Sequence, residues 1–310
     1  MYYPYLRARQ FELIALRELA LENKLSKITP VLEPVKSGFN NLNIAHKVFQ
    51  DKNQNAFLIV NPFQGEKAGD GKDILDYIYQ LNDSKYIVAF HYMDNSDYIN
   101  RFIKEYNINE CMIICLDNIS DEDGFKTLSN HVSVSHIMLL EPNKYRSLDR
   151  YIKSLNKKYI RLDDVFPKQQ RNADYLDILA HKLTEEHLFY KEDNYSGFSD
   201  FTVLTSEYIE GGSTPRAVVI HLSYLNREAE NQIWVRHFTS NSNDSIANVQ
   251  GKFAEAASKA VEFCNTYPLN NSAIVELSEI YNEERYPGLG TVKKISIKNH
   301  LLVIDNYLNN

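Results

Sequence analysis

Five apolar runs recur at near-constant intervals, and that rhythm limits what the chain can become. Residues 56–61, 86–91, 111–117, 134–141 and 159–163 begin 30, 25, 23 and 25 residues apart. Between them, residues 73–81, 97–106, 124–131 and 148–155 carry apolar side chains at helical spacing. Parallel neighbouring strands need a crossover long enough to hold a helix, so the alternation predicts repeated βα units.

The pattern extends at both ends. Residues 6–23 read as a helix and residues 28–35 as the first strand. Residues 173–190 read as another helix, and Gly197-Phe198-Ser199-Asp200 leads into a seventh strand over 201–205. There the rhythm breaks: Gly211-Gly212-Ser213-Thr214-Pro215 introduces two β-rich runs, 217–224 and 232–238, joined by a charged turn. Helices over 249–264 and 272–282 follow, then an alternating stretch over 292–297 as strand eight and a last helix over 299–308. The expectation is a single-domain (β/α)₈, TIM-barrel-like α/β fold over residues 1–310. Within it lie an N-terminal helix region (1–27), βα units one to six with strand seven (28–205), an inserted hairpin (211–240) and a C-terminal segment (245–310). An open doubly wound sheet shares this alternation and differs in closure.

Composition narrows the function classes. The chain is 44% hydrophobic and carries 34 Lys plus Arg against 41 Asp plus Glu, a formal charge of -7. That balance supplies no global attraction to nucleic acid or anionic lipid. No apolar stretch approaches the roughly 20 residues that span a bilayer, and the start lacks a signal-peptide pattern. The three cysteines form neither a disulfide framework nor a zinc pattern. A cytoplasmic protein with reduced thiols is expected.

In a barrel, function sits at the carboxyl ends of the strands. Those positions hold Glu33, Asn61, His91, Asp117, Glu141, Asp163 beside Asp164, Asp200 and His300. Three strands end alike, in Leu32-Glu33-Pro34, Val60-Asn61-Pro62 and Leu140-Glu141-Pro142. Proline has no amide hydrogen and so stops pairing, leaving the preceding side chain at a strand mouth; strand termination alone is the plain alternative to a shared site. If Glu33, Asp117, Glu141 and Asp163 converge, their repulsion raises at least one pKa or calls for a cation. Such a ring could serve as an acid–base pair, as in glycosidases, or hold a divalent cation of the magnesium type through oxygen ligands. No metal ligand set is assigned. His300, placed at the start of the last helix beside Lys294 and Lys298, could bind an anion; Asn299 as a simple helix cap is the alternative. On the hairpin, Trp234, Arg236 and His221 could contact a macromolecule, or Trp234 could pack the hairpin onto the barrel. Gly65 to Asp73 fails as a phosphate loop, because five residues separate Gly65 from Gly71 and Asp73 follows Lys72. Motifs of common serine hydrolases, zincins and dinucleotide binders are missing.

Several stretches resemble one family. Tyr5-Leu6-Arg7-Ala8-Arg9-Gln10-Phe11-Glu12-Leu13 with Ile28-Thr29-Pro30-Val31-Leu32-Glu33-Pro34 is similar to the start of the phage-type beta-protein family and a related bacterial branch. Gly197 to Phe201, the hairpin with Ile233-Trp234-Val235-Arg236, and the stretch from Thr291 ending in Asn299-His300 follow in the same order. The chain departs from that pattern at Leu301, where the family often has a second histidine, and at His221, where it has basic residues. The resemblance implies a barrel in a phage-related or antiviral-defence setting, often encoded beside a small nuclease-like protein. The resulting expectation is a barrel that binds a ligand or macromolecule at the strand C-terminal face and works with that partner. Hydrolysis by paired strand-end carboxylates is the alternative, and whether the chain is an enzyme stays open.

Overall fold

A computed structural model describes residues 1–310 apart from Asp70, Gly212, Ser213 and Pro268. Asp70 in the Gly65–Asp73 loop, and Gly212 with Ser213 before the hairpin, thus lie outside the described residues. The strands, in chain order, are β1 (Tyr5–Leu6), β2 (Val31–Leu32), β3 (Ala56–Ile59), β4 (Tyr86–His91), β5 (Cys111–Cys115), β6 (Val134–Leu140), β7 (Lys158–Asp163), β8 (Ala180–Thr184), β9 (Gly197–Asp200), β10 (Val219–Asn226) and β11 (Gln232–Thr239). The helices are α1 (Gln10–Leu21), α2 (Asn40–Asp51), α3 (Gly71–Gln80), α4 (Ser96–Glu105), α5 (Glu122–Ser129), α6 (Arg146–Ser154), α7 (Glu186–Phe189), α8 (Val249–Thr266), α9 (Ser272–Asn282) and α10 (Leu289–Leu308).

Eight parallel strands, β1 to β7 and then β9, form one sheet in that order. A parallel bridge between Tyr2 and Phe198 joins its two ends, so the sheet curls into a (β/α)₈ barrel. Alternation divides the apolar side chains in two. Tyr3, Tyr5, Val31, Phe57, Ile59 and Met112 belong to a cluster filling the barrel, while Leu6, Leu32, Leu58 and Ile113 belong to the layer under the helices.

The barrel arrives with different first and last strands from those expected. Tyr5–Leu6 is a strand before α1 and takes the place assigned to residues 292–297, which lie inside α10. Their alternation arises on a helix buried on nearly every side, where the 3.6-residue signal fades. Its polar members face ion partners: Lys294 pairs with Glu18 at 2.8 Å and Glu276 at 2.7 Å, and Lys298 with Glu18 at 2.9 Å and Glu22 at 2.7 Å. Lys294 therefore braces α10 against α1 and α9. Strand seven also shifts, from 201–205 to Gly197–Asp200, and residues 173–190 form a 3₁₀ turn (Asn172–Leu176), β8 and the short α7 instead of one helix.

The hairpin β10–β11 forms as expected and gains β8 as a third antiparallel strand. It is a layer outside the barrel, not a protruding ribbon. Tyr224 and Phe238 on one face pack edge-on and tilted against Phe263 of α8, while Ser223 on the other reaches His300 of α10.

Removing one end of a buried ion pair strands its partner in low dielectric. Lys298 is buried whereas Glu18 is partly exposed, so Lys298→Ala is expected to lower stability by about 2 kcal/mol, read as a lower urea midpoint at unchanged slope. A neutral result would show that α10 is not held through these carboxylates.

Candidate functional site at the barrel mouth

Tyr5, Val31, Ile59 and Ala89 point into the barrel, so the next positions in register, Arg7, Glu33, Asn61 and His91, cap the interior at the C-terminal ends of β1 to β4. All four are buried, with exposures of 8, 0, 1 and 2%. The Glu33 amide still donates to Leu6 at 2.8 Å, after which Pro34 ends the pairing as expected. Asn61 clasps the His91 backbone at both its amide and its carbonyl, each at 2.8 Å, and so holds β3 to β4 at the mouth.

Glu33 collects four donors. The Tyr5 hydroxyl lies at 2.8 Å, the Phe63 amide at 2.7 Å, the Gln64 amide at 3.3 Å, and the Arg7 guanidinium completes a buried ion pair. Since Tyr5 spends its hydroxyl hydrogen on Glu33, its contact with His91 Nε2, also 2.8 Å, requires that nitrogen to donate. His91 is therefore the Nε2–H tautomer, and its Nδ1 carries a bare lone pair. That Nδ1 is buried without a hydrogen-bond partner. Burial, reinforced by the Arg7 charge and partly opposed by the Asn61 backbone, pushes the His91 pKa down to about 3. The mouth thus holds a directional chain from His91 through Tyr5 to Glu33 with an unused acceptor at its head.

Loops cover this chain. Arg7 also donates to the Ser206 carbonyl, and Lys36 above it pairs with Glu66 at 2.8 Å and Glu210 at 2.6 Å, tying three loops together. Gly65, at φ +90°, lies so near Val35 that an added Cβ would stand 2.4 Å from its carbonyl oxygen. This close turn presents the Phe63 and Gln64 amides to Glu33. The Phe63 ring is 57% exposed, with its centroid 6.5 Å from that of His91.

The expected carboxylate ring does not assemble around Glu33. Asp117 is exposed and bonds the next backbone amide at 2.7 Å. Glu141 adopts a left-handed backbone, φ +46°, and turns to Lys144, although its tripeptide matches that of Glu33. Asp163 sits at an outward position of β7 and is gripped by Arg161 at 2.6 and 3.1 Å. Burial raises the Asp163 pKa against the pull of Arg161, with Asp200 and Glu141 adding to the rise. Glu186, unremarked in the sequence, lies 3.4 Å from Arg161 and is pushed up to about 7, chiefly by burial. Among the described residues, no group of three or more His, Cys, Asp or Glu is placed to hold a metal ion.

His300 lies mid-helix in α10 and is fully buried, so no free helix amides adjoin it and the anion site expected there is not formed. It belongs to a second relay: Ser223 at 2.9 Å from Nδ1, Tyr2 at 3.0 Å from Nε2, and Tyr2 donating to Asp200 at 2.5 Å. Asp200 also accepts from the Thr202 amide at 2.8 Å, while its other oxygen is buried without a partner. His221 joins a different chain, bonded to His237 at 2.7 Å, with His237 bonded to His181 at 3.1 Å. Each of these three histidines is held below its ordinary pKa, mainly by burial. Trp234 is half-buried with its ring N–H 3.2 Å from Gln232, and Arg236 lies 4.9 Å over Phe263. Both pack toward α8.

Sequence reading found Glu33, Asn61 and His91 but missed Tyr5 and Arg7, the residues that connect them. The signal available was the alternation Tyr3, Tyr5, Arg7 in an aromatic, β-prone start. Family models, curated proteins and solved structures returned no match to this chain.

Because the fold refuses a proton that the unfolded chain accepts at His91, stability should fall as pH drops below about 6.5. For this residue the slope is up to about 1.4 kcal/mol per pH unit, continuing toward the folded value. Urea denaturation between pH 6.5 and 4.5 should show that His91→Gln flattens the profile by this amount. An unchanged slope would mean that His91 protonates freely in the fold.

Proposed function

We propose that this barrel binds a small ligand beneath the loops at the C-terminal ends of β1 to β4, with His91 Nδ1 accepting a ligand hydrogen. The observation that carries this reading is the bare, buried Nδ1 lone pair. Buried acceptors in folded proteins are almost always satisfied, and the exceptions concentrate at sites of binding or catalysis. A neutral imidazole backed by Tyr5 and Glu33 can accept a hydrogen bond or a proton, and the Tyr5–Glu33 link disperses the charge that would develop on it.

The setting we propose is phage-related or antiviral defence beside a nuclease-like partner. Its support is the motif resemblance, together with where those motifs lie. Tyr5, Arg7 and Glu33 meet in the mouth chain, and Asp200, Ser223 and His300 meet in the second relay. The stretches carrying the resemblance thus supply part of both buried polar networks, while His91 and Tyr2 lie outside them. The test is phage challenge in cells carrying the protein with its neighbouring genes. His91→Ala and Tyr5→Phe are expected to fold, as judged by circular dichroism, and to reduce protection at least tenfold. Full protection by both folded variants would remove the mouth from the function.

Hydrolysis by paired carboxylates is the second reading, supported by Glu186, whose pKa of about 7 suits a general acid, beside Asp163. It predicts the reverse pattern: Glu186→Gln abolishes protection and His91→Ala leaves it intact.

A further inference from the structure

A groove of about 710 Å³ lies away from the mouth, between α7, the end of β10, the α8–α9 connection and the last turn of α10. Its volume suits a small organic molecule. Two properties of its lining point in the same direction. Lys191 and Arg227 are exposed and form no ion pair among the described residues, and the described lining contains no Asp or Glu side chain. In a protein of net charge -7, this leaves these two unpaired cations on the lining, with the exposed acids Glu192, Asp193, Glu228 and Glu230 near them in sequence but outside the lining.

The same lining also asks for hydrogen-bond donors. His187 is buried, and its Nε2 lies 2.8 Å from the Asn231 carbonyl. A carbonyl only accepts, so Nε2 carries the hydrogen and Nδ1 is a lone-pair acceptor; that Nδ1 has no partner. The Tyr307 ring stands edge-on to His187, with centroids 4.6 Å apart. Nearby, α10 ends, where Asn309 and Asn310 already donate to the Asp305, Asn306 and Tyr307 carbonyls. Asn306 adds an exposed side-chain amide.

A ligand matching both features has an anionic end and a hydroxyl-bearing end. We propose that this groove binds a phosphorylated ribose, with the phosphate on Arg227 and Lys191 and the sugar hydroxyls on the His187 and α10 side. Charge-assisted bonds from the two cations supply most of the affinity. The hydroxyls supply discrimination, because buried acceptors left unpaired penalise a ligand that lacks them. This site is independent of the mouth.

Isothermal titration at low salt with ribose 5-phosphate, AMP, adenosine and inorganic phosphate tests the assignment. Ribose 5-phosphate, AMP or both should bind, at least tenfold more tightly than adenosine or inorganic phosphate. A preference between the two binders tells a free sugar phosphate from a nucleotide. Arg227→Ala and Lys191→Ala, both at exposed positions, should each weaken binding about tenfold. The His187 Nδ1 nitrogen resonance should shift on binding, and His91→Ala should bind normally. The proposal is overturned if neither phosphorylated probe binds, if phosphate binds as tightly as the sugar phosphate, if both cation variants bind unchanged, or if His91→Ala abolishes binding.

Discussion

The buried pair of Arg7 and Glu33 is the interaction on which the upper half of this barrel depends. Taking both charges out of water costs several kcal/mol per ion, and only close geometry with further hydrogen bonds offsets that. Here the offset comes from several places at once. Tyr5 on β1, the Phe63 and Gln64 amides of the loop after β3, and the Ser206 carbonyl all join the pair. Two neighbouring strands and two covering loops are thereby referred to one point. Such an arrangement contributes less to stability than to uniqueness, because a shifted register would leave a charge without its partner.

The same chemical unit occurs twice on the first few residues. Tyr5, facing inward, links His91 to Glu33; Tyr2, facing outward, links His300 to Asp200. Each tyrosine donates to a carboxylate and sits beside a histidine Nε2. Burial raises both phenols well above the ordinary tyrosine range, so they stay protonated and keep the direction of each chain fixed. One relay caps the barrel interior; the other fastens α10 and the outer sheet to the barrel wall. They differ in what is left over: an acceptor on the histidine inside, and a carboxylate oxygen outside.

Much of this was legible in the chain, and the failures have identifiable causes. The central strands announced themselves because residues in them are buried on both faces over four to seven positions. β1, only two residues long, falls below the length at which alternation can be recognised. Residues 292–297 look like a strand because Lys293 and Lys294 of a buried helix are accommodated by carboxylates on α1 and α9, a tertiary circumstance that mimics a strand. Leu-Glu-Pro was read alike at Glu33 and Glu141, yet only Glu141 takes a left-handed backbone, and that difference does not show in three letters. Arg7 escaped notice because its role exists only in the folded barrel, where Glu33 of the neighbouring strand and the Ser206 carbonyl, beyond the point at which the two ends of the sheet meet, both reach it.

That meeting joins segments far apart in the chain. Tyr2 bridges Phe198, and the relay it enters is completed by His300, 298 positions away. Contacts of such separation close late, since the loop entropy must be met before they contribute. During synthesis β1 to β7 can pair in order as they emerge, leaving an open half-pipe with two unpaired edges. Closure waits for β9, and the lock on its outer face waits for α10. Until then the edges of β1 and β7 are the parts of this protein most exposed to pairing with another chain.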